Sequence, residues 1–316
     1  MIITVLGIGL MGYPMAKRLC EAGHRVTGWN RTREKAERLR VHGGMVADTA
    51  ADAVSGAEIV ISMLDNGAVV NEVLFNQGVA QAMQRGVSAD NAGNAAASSS
   101  AQIGGASGGT ALNTLFIDMA SIKPREARDH ATRLRELGVA QLDAPVSGGT
   151  LGAEAGTLAI MAGGDAADFA RALPVLQVMG RATHVGAHGA GQVCKLANQL
   201  IVGVTIGAVA EAMLLAEKGG ASAAKFKEAV TGGFADSRIL QVHGQRMIER
   251  DFAKRGSMAV HLKDMRNILS TAQEIGFNAP ISQLLEQLFA SGVEHGLADL
   301  DHSALFVELA RRNGIK

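Results

Sequence analysis

The chain has 316 residues, of which 47% are hydrophobic, so it is long and apolar enough for two domains with filled cores. Its 30 basic and 30 acidic side chains cancel, which excludes a strong sequence-independent attraction to nucleic acid or to an anionic membrane surface. The two cysteines, Cys20 and Cys194, have no metal-ligand spacing around them, which favours reduced thiols. Because an apolar strand begins at residue 2 with no basic segment ahead of it, we expect a cytoplasmic protein.

A glycine-rich turn follows the first predicted strand. Residues 2–6 (IITVL) predict that strand, and the sequence GIGLMG and a helical pattern come next. In such a turn the first glycine permits a tight bend, the second lets backbone approach a pyrophosphate, and the third allows close helix–strand packing. Since a second strand is predicted at 24–29, the pattern indicates dinucleotide binding, with a plain glycine-rich turn as the alternative. The predicted cofactor contacts are Gly7, Ile8, Gly9, Leu10, Met11 and Gly12.

The end of the second strand predicts which dinucleotide is preferred. Where an NAD site usually has an acidic residue for the ribose, this chain has Asn30, Arg31 and Thr32. Arg31 can form a charge-assisted pair with a 2′-phosphate, and its neighbours can donate hydrogen bonds. We therefore expect NADP as the preferred cofactor, with NAD possible. Alternatively, Arg31 belongs with Arg33 and Lys35 to the solvated start of the next helix.

Strands and helices continue to alternate as far as about residue 186. After a helix near 32–41, a short strand near Met45 and a helix from Thr49, the strand at 57–64 brings residues 62–66 to the edge where ligands bind in doubly wound sheets. The segment from Gln84 to Thr114 is rich in Gly, Ala, Ser and Asn, which predicts a mobile surface excursion. Further strands are predicted at 115–119, 140–146, 158–162 and 183–185, with helices opening at Pro124 and Asp165.

Two serines follow strands in this second half of the sheet. Ser121 comes directly after the strand at 115–119, and Ser147 follows the strand at 140–146 with Gly148 and Gly149 behind it. A hydroxyl beside bare backbone amides suits a small carboxylate. A simple structural turn is the alternative, because turns often contain serine.

Lys195 lies near the start of the longest apolar helical run in the sequence. Glycines at 186, 189 and 191 precede it and let backbone pass close to a ligand, and Asn198 follows on the same helix face. Burial would lower the pKa of the Lys195 ammonium and so suit it to proton transfer. The alternative is a lysine that snorkels out of an apolar helix. Residues 196–216 approach transmembrane length, but polar side chains interrupt them, so we expect a helix buried on most faces, either between domains or between subunits.

After Lys218 the pattern is entirely helical, with helices expected near 222–230, 238–249, 258–275, 281–292 and 303–312. We therefore predict an α/β Rossmann-type domain at residues 1–187, followed by an all-α domain at 188–316. In the helix expected near 258–275, Lys263 and Asp264 taken alone would form a surface ion pair that contributes little to stability.

Four motifs in order make the whole chain resemble the β-hydroxyacid dehydrogenase family, which is related to 6-phosphogluconate dehydrogenase. They are GIGLMG (7–12), DAPVSGG (143–149), GAGQVCKLAN (189–198) and HLKD (261–264). The resemblance implies a 6-phosphogluconate dehydrogenase-like fold in which Lys195 is catalytic, Asn198 orients the substrate, and Ser147, Gly148 and Gly149 hold its carboxylate. It also places Ser121 near nicotinamide and substrate, and Lys263, oriented by Asp264, near the cofactor. Family members are typically dimers or tetramers.

The chain departs from the family pattern at several positions. Gln199 stands where several relatives have a second asparagine, and Asp65 stands where many have proline. The loop of Met63, Leu64 and Asp65 is expected to flank the nicotinamide ribose. Ala120 replaces a common serine in MASIKP, and the Gly/Ala/Ser segment at about 85–114 is longer than usual.

The resemblance implies reversible hydride transfer between NADP(H) and a short β-hydroxy acid or its semialdehyde. Tartronate semialdehyde (2-hydroxy-3-oxopropionate) is the first choice, because HLKDMRNILSTA and DHSALF look most like those reductases. 3-Hydroxyisobutyrate and glyoxylate or succinic semialdehyde follow, and an imine reductase or a non-catalytic scaffold are alternatives. The loop with Phe234, Asp236 and Arg238 either faces the substrate tail or is a structural turn. No metal is expected, because no pair among His188, His243, His261 and His302 has ligand spacing backed by carboxylates.

Overall fold

The computed structural model describes residues 1–84 and 114–315. It divides into two compact units, Met1–Lys195 and Leu196–Lys316. The division falls inside a helix, a little after the boundary expected at 187/188, because the first residues of that helix hydrogen-bond to the sheet of the first unit. The surface excursion predicted from the Gly/Ala/Ser-rich composition lies, apart from its end residues Gln84 and Thr114, outside the described residues.

Nine strands form one sheet in the described part of the first unit. Short runs of Val, Ile and Leu produce them because such side chains pack well on a sheet that is covered on both faces. The strands are β1 (Ile2–Leu6), β2 (Arg25–Trp29), β3 (Met45–Val46), β4 (Ile59–Ser62), β5 (Leu115–Asp118), β6 (Ala140–Asp143), β7 (Val146–Ser147), β8 (Leu158–Gly164) and β9 (Gly180–Gly186).

The strand order is β3-β2-β1-β4-β5-β6-β8-β7, and β9 also pairs with β8. The first six strands are parallel, whereas β8 runs antiparallel to both β6 and β7. The parallel part has the order of a dinucleotide-binding doubly wound sheet, which confirms the predicted Rossmann-type fold. The single strand expected at 140–146 is two strands, because Pro145 between them has no N–H for the ladder.

Alternate residues of the central strands enter two apolar cores, one on each face of the sheet. Ile3 and Val5 belong to one core and Leu6 to the other, and Ile59 and Val60 divide in the same way. The helices that supply the rest of these cores are Gly12–Glu21, Arg33–Glu37, Ala50–Ala53, Gly67–Asn71, Pro124–Glu136, Gly149–Ala155 and Ala166–Met179, with further helical turns at Arg40–His42, Glu72–Asn76 and 79–84.

The second unit consists of helices packed around one core. The long helix Ala190–Lys218 begins in the first unit and continues through the second. Its glycines allow close packing: a Cβ at Gly207 would lie 3.2 Å from a methyl carbon of Leu285. The other helices are Ala223–Val230, Gln245–Glu249, Met258–Glu274, Pro280–Gly292 and Leu305–Arg312, with single turns at Leu240–Gly244, Val293–Leu297 and His302–Ala304.

By length and composition alone, the long helix is one that could cross a membrane. In the structure, Ile206, Ala210 and Met213 are fully buried in the core of the second unit. Ile201 and Leu215, by contrast, are 63% and 74% exposed, so one side of this helix remains apolar and uncovered in the single chain.

Candidate active site

The turn after β1 has the tight backbone conformation that its glycines predict. Gly7 has φ of +102°, and its amide donates to the carbonyl oxygen of Trp29 at 2.8 Å. A Cβ at Gly12 would overlap the carbonyl oxygen of Gly7, whereas a Cβ at Gly9 would meet nothing within 4 Å. Gly7 and Gly12 are therefore required by the fold, and Gly9 leaves the backbone open at the point where the strand order reverses. These residues fit a dinucleotide pyrophosphate.

The loop after β4 lies against this turn. Met63 donates its amide to the carbonyl oxygen of Leu6 at 2.8 Å, and its own carbonyl leaves no room for a side chain at Gly7. Met63 and Leu64 are half-buried, while Asp65 is exposed. The structure thus brings the loop to the glycine turn; its contact with the nicotinamide ribose stays a prediction.

The segment after β2 leaves Arg31 exposed. Asn30 donates its side-chain amide to the carbonyl oxygen of Thr32 at 3.0 Å. Arg33 pairs with Glu37 and with Asp48, so it belongs to the start of the following helix. Arg31 forms no such ion pair within the described ranges, which distinguishes it from its basic neighbour.

A row of polar side chains crosses the sheet at the carboxyl ends of β4, β5 and β6. Ser62, Asp118 and Asp143 are in register on adjacent strands. Oδ1 of Asp118 accepts from the hydroxyl of Ser62 at 2.6 Å and from the amide of Ala120 at 3.0 Å. Burial raises the pKa of Asp118 to about 7 despite these hydrogen bonds, and the neighbouring Asp143 contributes to the rise.

Asp143 holds the start of the long helix against β6. Its Oδ1 accepts from the amide of Gly189 at 2.7 Å, and its Oδ2 accepts from the amide of Gln192 at 2.9 Å. Burial raises the pKa of Asp143 to about 6, although backbone amides oppose the rise. Two otherwise unsatisfied amides at the helix N-terminus are thereby satisfied.

The glycines before Lys195 serve the packing of the chain. A Cβ at Gly191 would overlap the carbonyl oxygens of Asp143 and Met161, and one at Gly189 would lie 2.9 Å from the carbonyl oxygen of Pro124. Protein backbone therefore fills the space that a side chain would need at these two positions, and the expected approach of their backbone to a ligand stays a prediction.

Gln192 connects the long helix to the segment that contains Ser121. Its buried side chain donates through Nε2 to the carbonyl oxygen of Ala120 at 2.8 Å and accepts through Oε1 from the amide of Ile122 at 3.1 Å. Lys195 follows one turn later and is only 9% exposed, which agrees with the predicted burial and not with a snorkelling side chain. The structure thus joins the segments of Ser121 and Lys195.

The predicted carboxylate-binding turn opens a short helix. Ser147 is half-buried in β7, and Gly148 and Gly149 are exposed, with φ of +136° and +62°. Only glycine adopts both values readily, so the turn itself requires these two residues. Gly148 caps the N-terminus of the helix Gly149–Ala155, and Gly149 is its first residue.

In the second unit, four side chains form a connected polar group. The Asn198 amide donates to Oε1 of Gln199 at 3.0 Å, and Gln199 donates to Oδ2 of the buried Asp264 at 2.7 Å. Nζ of Lys263 lies 3.3 Å from the other oxygen of Asp264. Asp264 therefore does contact Lys263, and the departure at Gln199 has a structural role in holding Asn198.

Two family profiles together match nearly the whole chain. The one for the NAD-binding domain of 6-phosphogluconate dehydrogenase matches residues 2–107 and 91–189, and the one described as NAD-binding of NADP-dependent 3-hydroxyisobutyrate dehydrogenase matches 189–309. The 2-hydroxy-3-oxopropionate reductase of Escherichia coli is 38% identical over 95% of this chain and 94% of its own length. The chain belongs to the β-hydroxyacid dehydrogenase family.

Two further members of the family are similar to this chain over nearly its full length. The 3-hydroxyisobutyrate dehydrogenase of Pseudomonas aeruginosa is 34% identical over 96% of this chain and 95% of its own. The structure of Mycobacterium tuberculosis 3-hydroxyisobutyrate dehydrogenase with L-serine superimposes with a TM-score of 0.80 at 34% identity, covering 98% and 99% of the two chains. This β-hydroxyacid dehydrogenase is accordingly an NAD(P)-dependent oxidoreductase, which confirms the predicted family, fold and enzyme class.

Three buried residues of this β-hydroxyacid dehydrogenase were not singled out in the sequence. Asp143 opens the motif DAPVSGG and Gln192 lies within GAGQVCKLAN, yet neither had been given a role. Asp118 ends an apolar strand immediately before MASIKP. For Asp118 and Asp143 the available signal was a polar residue that ends a buried strand, because such a group needs a partner once it leaves water.

The argument from histidine spacing is wrong for one cluster. His243, Asp301 and His302 come together, with one ligand atom of each within 4.8 Å of the others. However, Nη1 of Arg246 lies 3.1 and 3.2 Å from the two oxygens of Asp301 and 3.2 Å from Nδ1 of His243. A guanidinium therefore occupies the position that a cation would take, and the expectation of no metal stays a prediction.

Proposed function

We propose that the enzyme reduces tartronate semialdehyde with NADPH. The support is the 38% identity to the E. coli 2-hydroxy-3-oxopropionate reductase over nearly the full length, together with the likeness of HLKDMRNILSTA and DHSALF to such reductases. 3-Hydroxyisobutyrate is the second candidate, because relatives with that name are 34% identical over comparable lengths.

The proposed mechanism rests on one observation, the burial of Lys195. Hydrogen bonds of Gln192 to Asp143 and to Ala120 hold the helix of Lys195 against the sheet. The nicotinamide, when bound, supplies a hydride to the aldehyde carbon. As negative charge develops on the carbonyl oxygen, the Lys195 ammonium stabilises it and transfers a proton to it, so that an alcohol results. In the oxidative direction the neutral amine takes the hydroxyl proton.

Small polar groups would hold the substrate. The hydroxyls of Ser121 and Ser147 and the amides of Gly148 and Gly149 can donate to a carboxylate. The side-chain amide of Asn198 would orient the substrate, since Gln199 fixes one of its N–H groups and leaves the rest of the amide available for binding.

Arg31 is proposed to select NADPH over NADH, because it is exposed and without a carboxylate partner in the described part of the chain. Thr32 and Asn30 would donate to the same phosphate. The turn residues Gly7, Ile8, Gly9, Leu10, Met11 and Gly12, the loop of Met63, Leu64 and Asp65, and the lysine Lys263 complete the proposed cofactor contacts.

The uncovered apolar side of the long helix supports a homodimer or homotetramer. Ile201 and Leu215 lie on that helix and are mostly exposed in the single chain. We propose a cytoplasmic enzyme whose long helix is a core helix, since Ile206, Ala210 and Met213 are fully buried within the second unit. Neither nucleic acid nor a membrane is proposed as a partner.

The first test measures NADPH oxidation by the wild type and by Lys195→Ala with tartronate, methylmalonate and succinic semialdehydes and glyoxylate. Loss of the proton donor should lower kcat by about 10² to 10⁴ while NADPH affinity stays unchanged. Lys225→Ala, an exposed lysine paired with Glu228, is the matched control and should retain full activity. Near-normal turnover by Lys195→Ala would refute the mechanism, and another preferred semialdehyde would refute the substrate.

The second test compares the two cofactors in Arg31→Ala. A hydrogen bond to a charged group contributes about 1.5–3 kcal/mol, so affinity for NADPH should fall about 10- to 100-fold while affinity for NADH is unchanged. Arg25→Ala, which removes an exposed arginine at the start of β2, is the control. Equal losses of affinity for NADPH and NADH would show that Arg31 does not bind the 2′-phosphate.

A further inference from the structure

Gln192 bonds the backbone on both sides of Ser121. It donates to the carbonyl group just before that serine and accepts from the amide just after it, and its side chain is fully buried. A primary amide is both donor and acceptor, which is what an isolated peptide segment requires from a single side chain. The position of the Ser121 segment is therefore set by the position of Gln192.

The same residue belongs to the part of the helix that is tied to β6. Its backbone amide donates to Asp143 at 2.9 Å, next to the bond from Gly189 at 2.7 Å. Lys195 lies three residues further along the same helix, hence on the same side of it. Without the two side-chain bonds of Gln192, the Ser121 segment would consequently be free to move relative to Lys195.

We propose that Gln192 is a positioning residue that sets the place of Lys195 relative to Ser121 for proton transfer. The inference rests on the proposed catalytic role of Lys195. Replacing the amide by an apolar group leaves the carbonyl of Ala120 and the amide of Ile122 buried without partners, so the segment must move to satisfy them. Because a displacement of about 1 Å can cost about 100-fold in rate, kcat should respond more strongly than binding.

Two substitutions separate positioning from general stability. Gln192→Leu keeps the approximate volume and removes both hydrogen bonds. Gln192→Glu keeps the shape: its protonated carboxyl can donate to Ala120 and accept from Ile122, whereas its carboxylate can only accept. Burial favours the protonated form, so the function of Gln192→Glu should depend on pH.

The matched control is Thr4→Val. The hydroxyl of Thr4 in β1 donates to the carbonyl oxygen of Ala53 at the end of the helix Ala50–Ala53, and Thr4 is about as buried as Gln192 but belongs to no proposed site. This substitution also leaves a buried carbonyl unsatisfied. It therefore reproduces the loss of stability without touching the Ser121 segment.

The experiment measures kcat, KM, the NADPH dissociation constant and Tm for the full-length wild type and the three variants between about pH 6 and pH 9. We expect Gln192→Leu to lose about 10- to 100-fold in kcat with less than about a twofold change in NADPH affinity. Thr4→Val should lose Tm but keep kcat. The ratio of Gln192→Glu to wild-type kcat should approach one near pH 6 and fall as pH rises.

Wild-type kcat in Gln192→Leu, or equal losses of kcat in Gln192→Leu and Thr4→Val, would overturn the inference. If Gln192→Leu fails to fold, Gln192→Glu decides alone, and a kcat ratio to wild type that does not fall between about pH 6 and pH 9 overturns the inference. The proposed function fails separately: an active Lys195→Ala rejects the role of the lysine, whereas an inactive Lys195→Ala beside a fully active Gln192→Leu rejects only the positioning role.

Discussion

Two buried carboxylates in the first unit and two in the second are held in opposite ways. In the first unit, Asp118 and Asp143 accept hydrogen bonds from a serine hydroxyl and from backbone amides, all of which are neutral. In the second unit, Asp301 and Glu308 are equally inaccessible but contact arginine side chains. The comparison separates the effect of burial from the effect of the partner's charge.

The pKa values of these groups move in opposite directions. Burial raises the pKa of Asp118 to about 7 and that of Asp143 to about 6. Burial opposes ionisation of Asp301 as well, but contacts with His243, Ser303 and Arg246 reverse the effect and leave its pKa well below the usual range. The hydrogen bond from Arg311 is the main cause of the low pKa of Glu308, about 2.

Neutral donors alone therefore do not offset the cost of removing Asp118 and Asp143 from water. The hydrogen bond from His243, with His302, Ser303 and Arg246, offsets that cost for Asp301, and the hydrogen bond from Arg311 does so for Glu308. Asp118 and Asp143, beside the proposed site, can therefore exchange a proton near neutral pH. Asp301 and Glu308, which contact arginine, stay ionised there and hold their neighbours in place. Each of the following substitutions changes one side of this contrast.

The largest effect is expected from Arg246→Ala. It leaves the Asp301 charge buried without its cation, and breaking a buried pair in this way costs about 3–5 kcal/mol. Urea-induced unfolding at fixed protein concentration measures the loss. Arg255→Ala, which removes a half-exposed arginine paired with Asp251, is the control and should leave the unfolding midpoint unchanged. Similar midpoints for the two variants would contradict the contrast.

The second largest effect is a change in the pH dependence of stability, expected from Asp118→Asn. Since the folded-state pKa of about 7 lies above the ordinary aspartate pKa of 3.8, the stability that proton binding gives is fully present below about pH 3.8 and is lost as pH rises towards 7. A tenfold change in proton affinity is worth about 1.4 kcal/mol, so the loss is on the order of a few kcal/mol.

Asparagine keeps the acceptor for Ser62 but does not titrate. The stability of Asp118→Asn relative to the wild type should therefore increase from about pH 4.5 to about pH 8, as measured by urea unfolding at each pH. Parallel stability curves for the two proteins would show that Asp118 is not the titrating group. Thr4→Val, which removes a buried hydroxyl and no titratable group, should give a curve parallel to that of the wild type.

The smallest effect is expected from Glu308→Gln. Its arginine partners Arg311 and Arg312 are 49% and 42% exposed, so water screens these pairs more than it screens Arg246. Because the pKa of Glu308 is lowered, the advantage of the wild type should be present above about pH 4.5 and be lost as pH falls towards 2. Melting temperatures across this range test it, with the exposed Glu228→Gln as control; an advantage that grows at low pH would contradict the assignment.

Local sequence patterns predicted much of this structure. The run IITVL, the turn GIGLMG and the strand that follows predicted the first part of the doubly wound sheet, because side-chain alternation and glycine conformation act over a few residues. The same is true of the helices after Lys218, whose apolar positions recur every three or four residues. The burial of Lys195 also followed from the apolar residues around it.

The sequence by itself thus determined the order of the elements, the glycine turn and the burial of Lys195. Only the tertiary structure decided that Gln192 bonds the peptide groups beside Ser121, that Asp118 and Asp143 lie side by side, and that Arg246 fills the cluster around Asp301. The partners in these contacts are separated by distances such as 70 residues for Gln192 and Ile122, and 55 for Arg246 and Asp301. Such pairs leave no periodic trace along the chain, because strand register and helix packing bring them together only when the whole core forms.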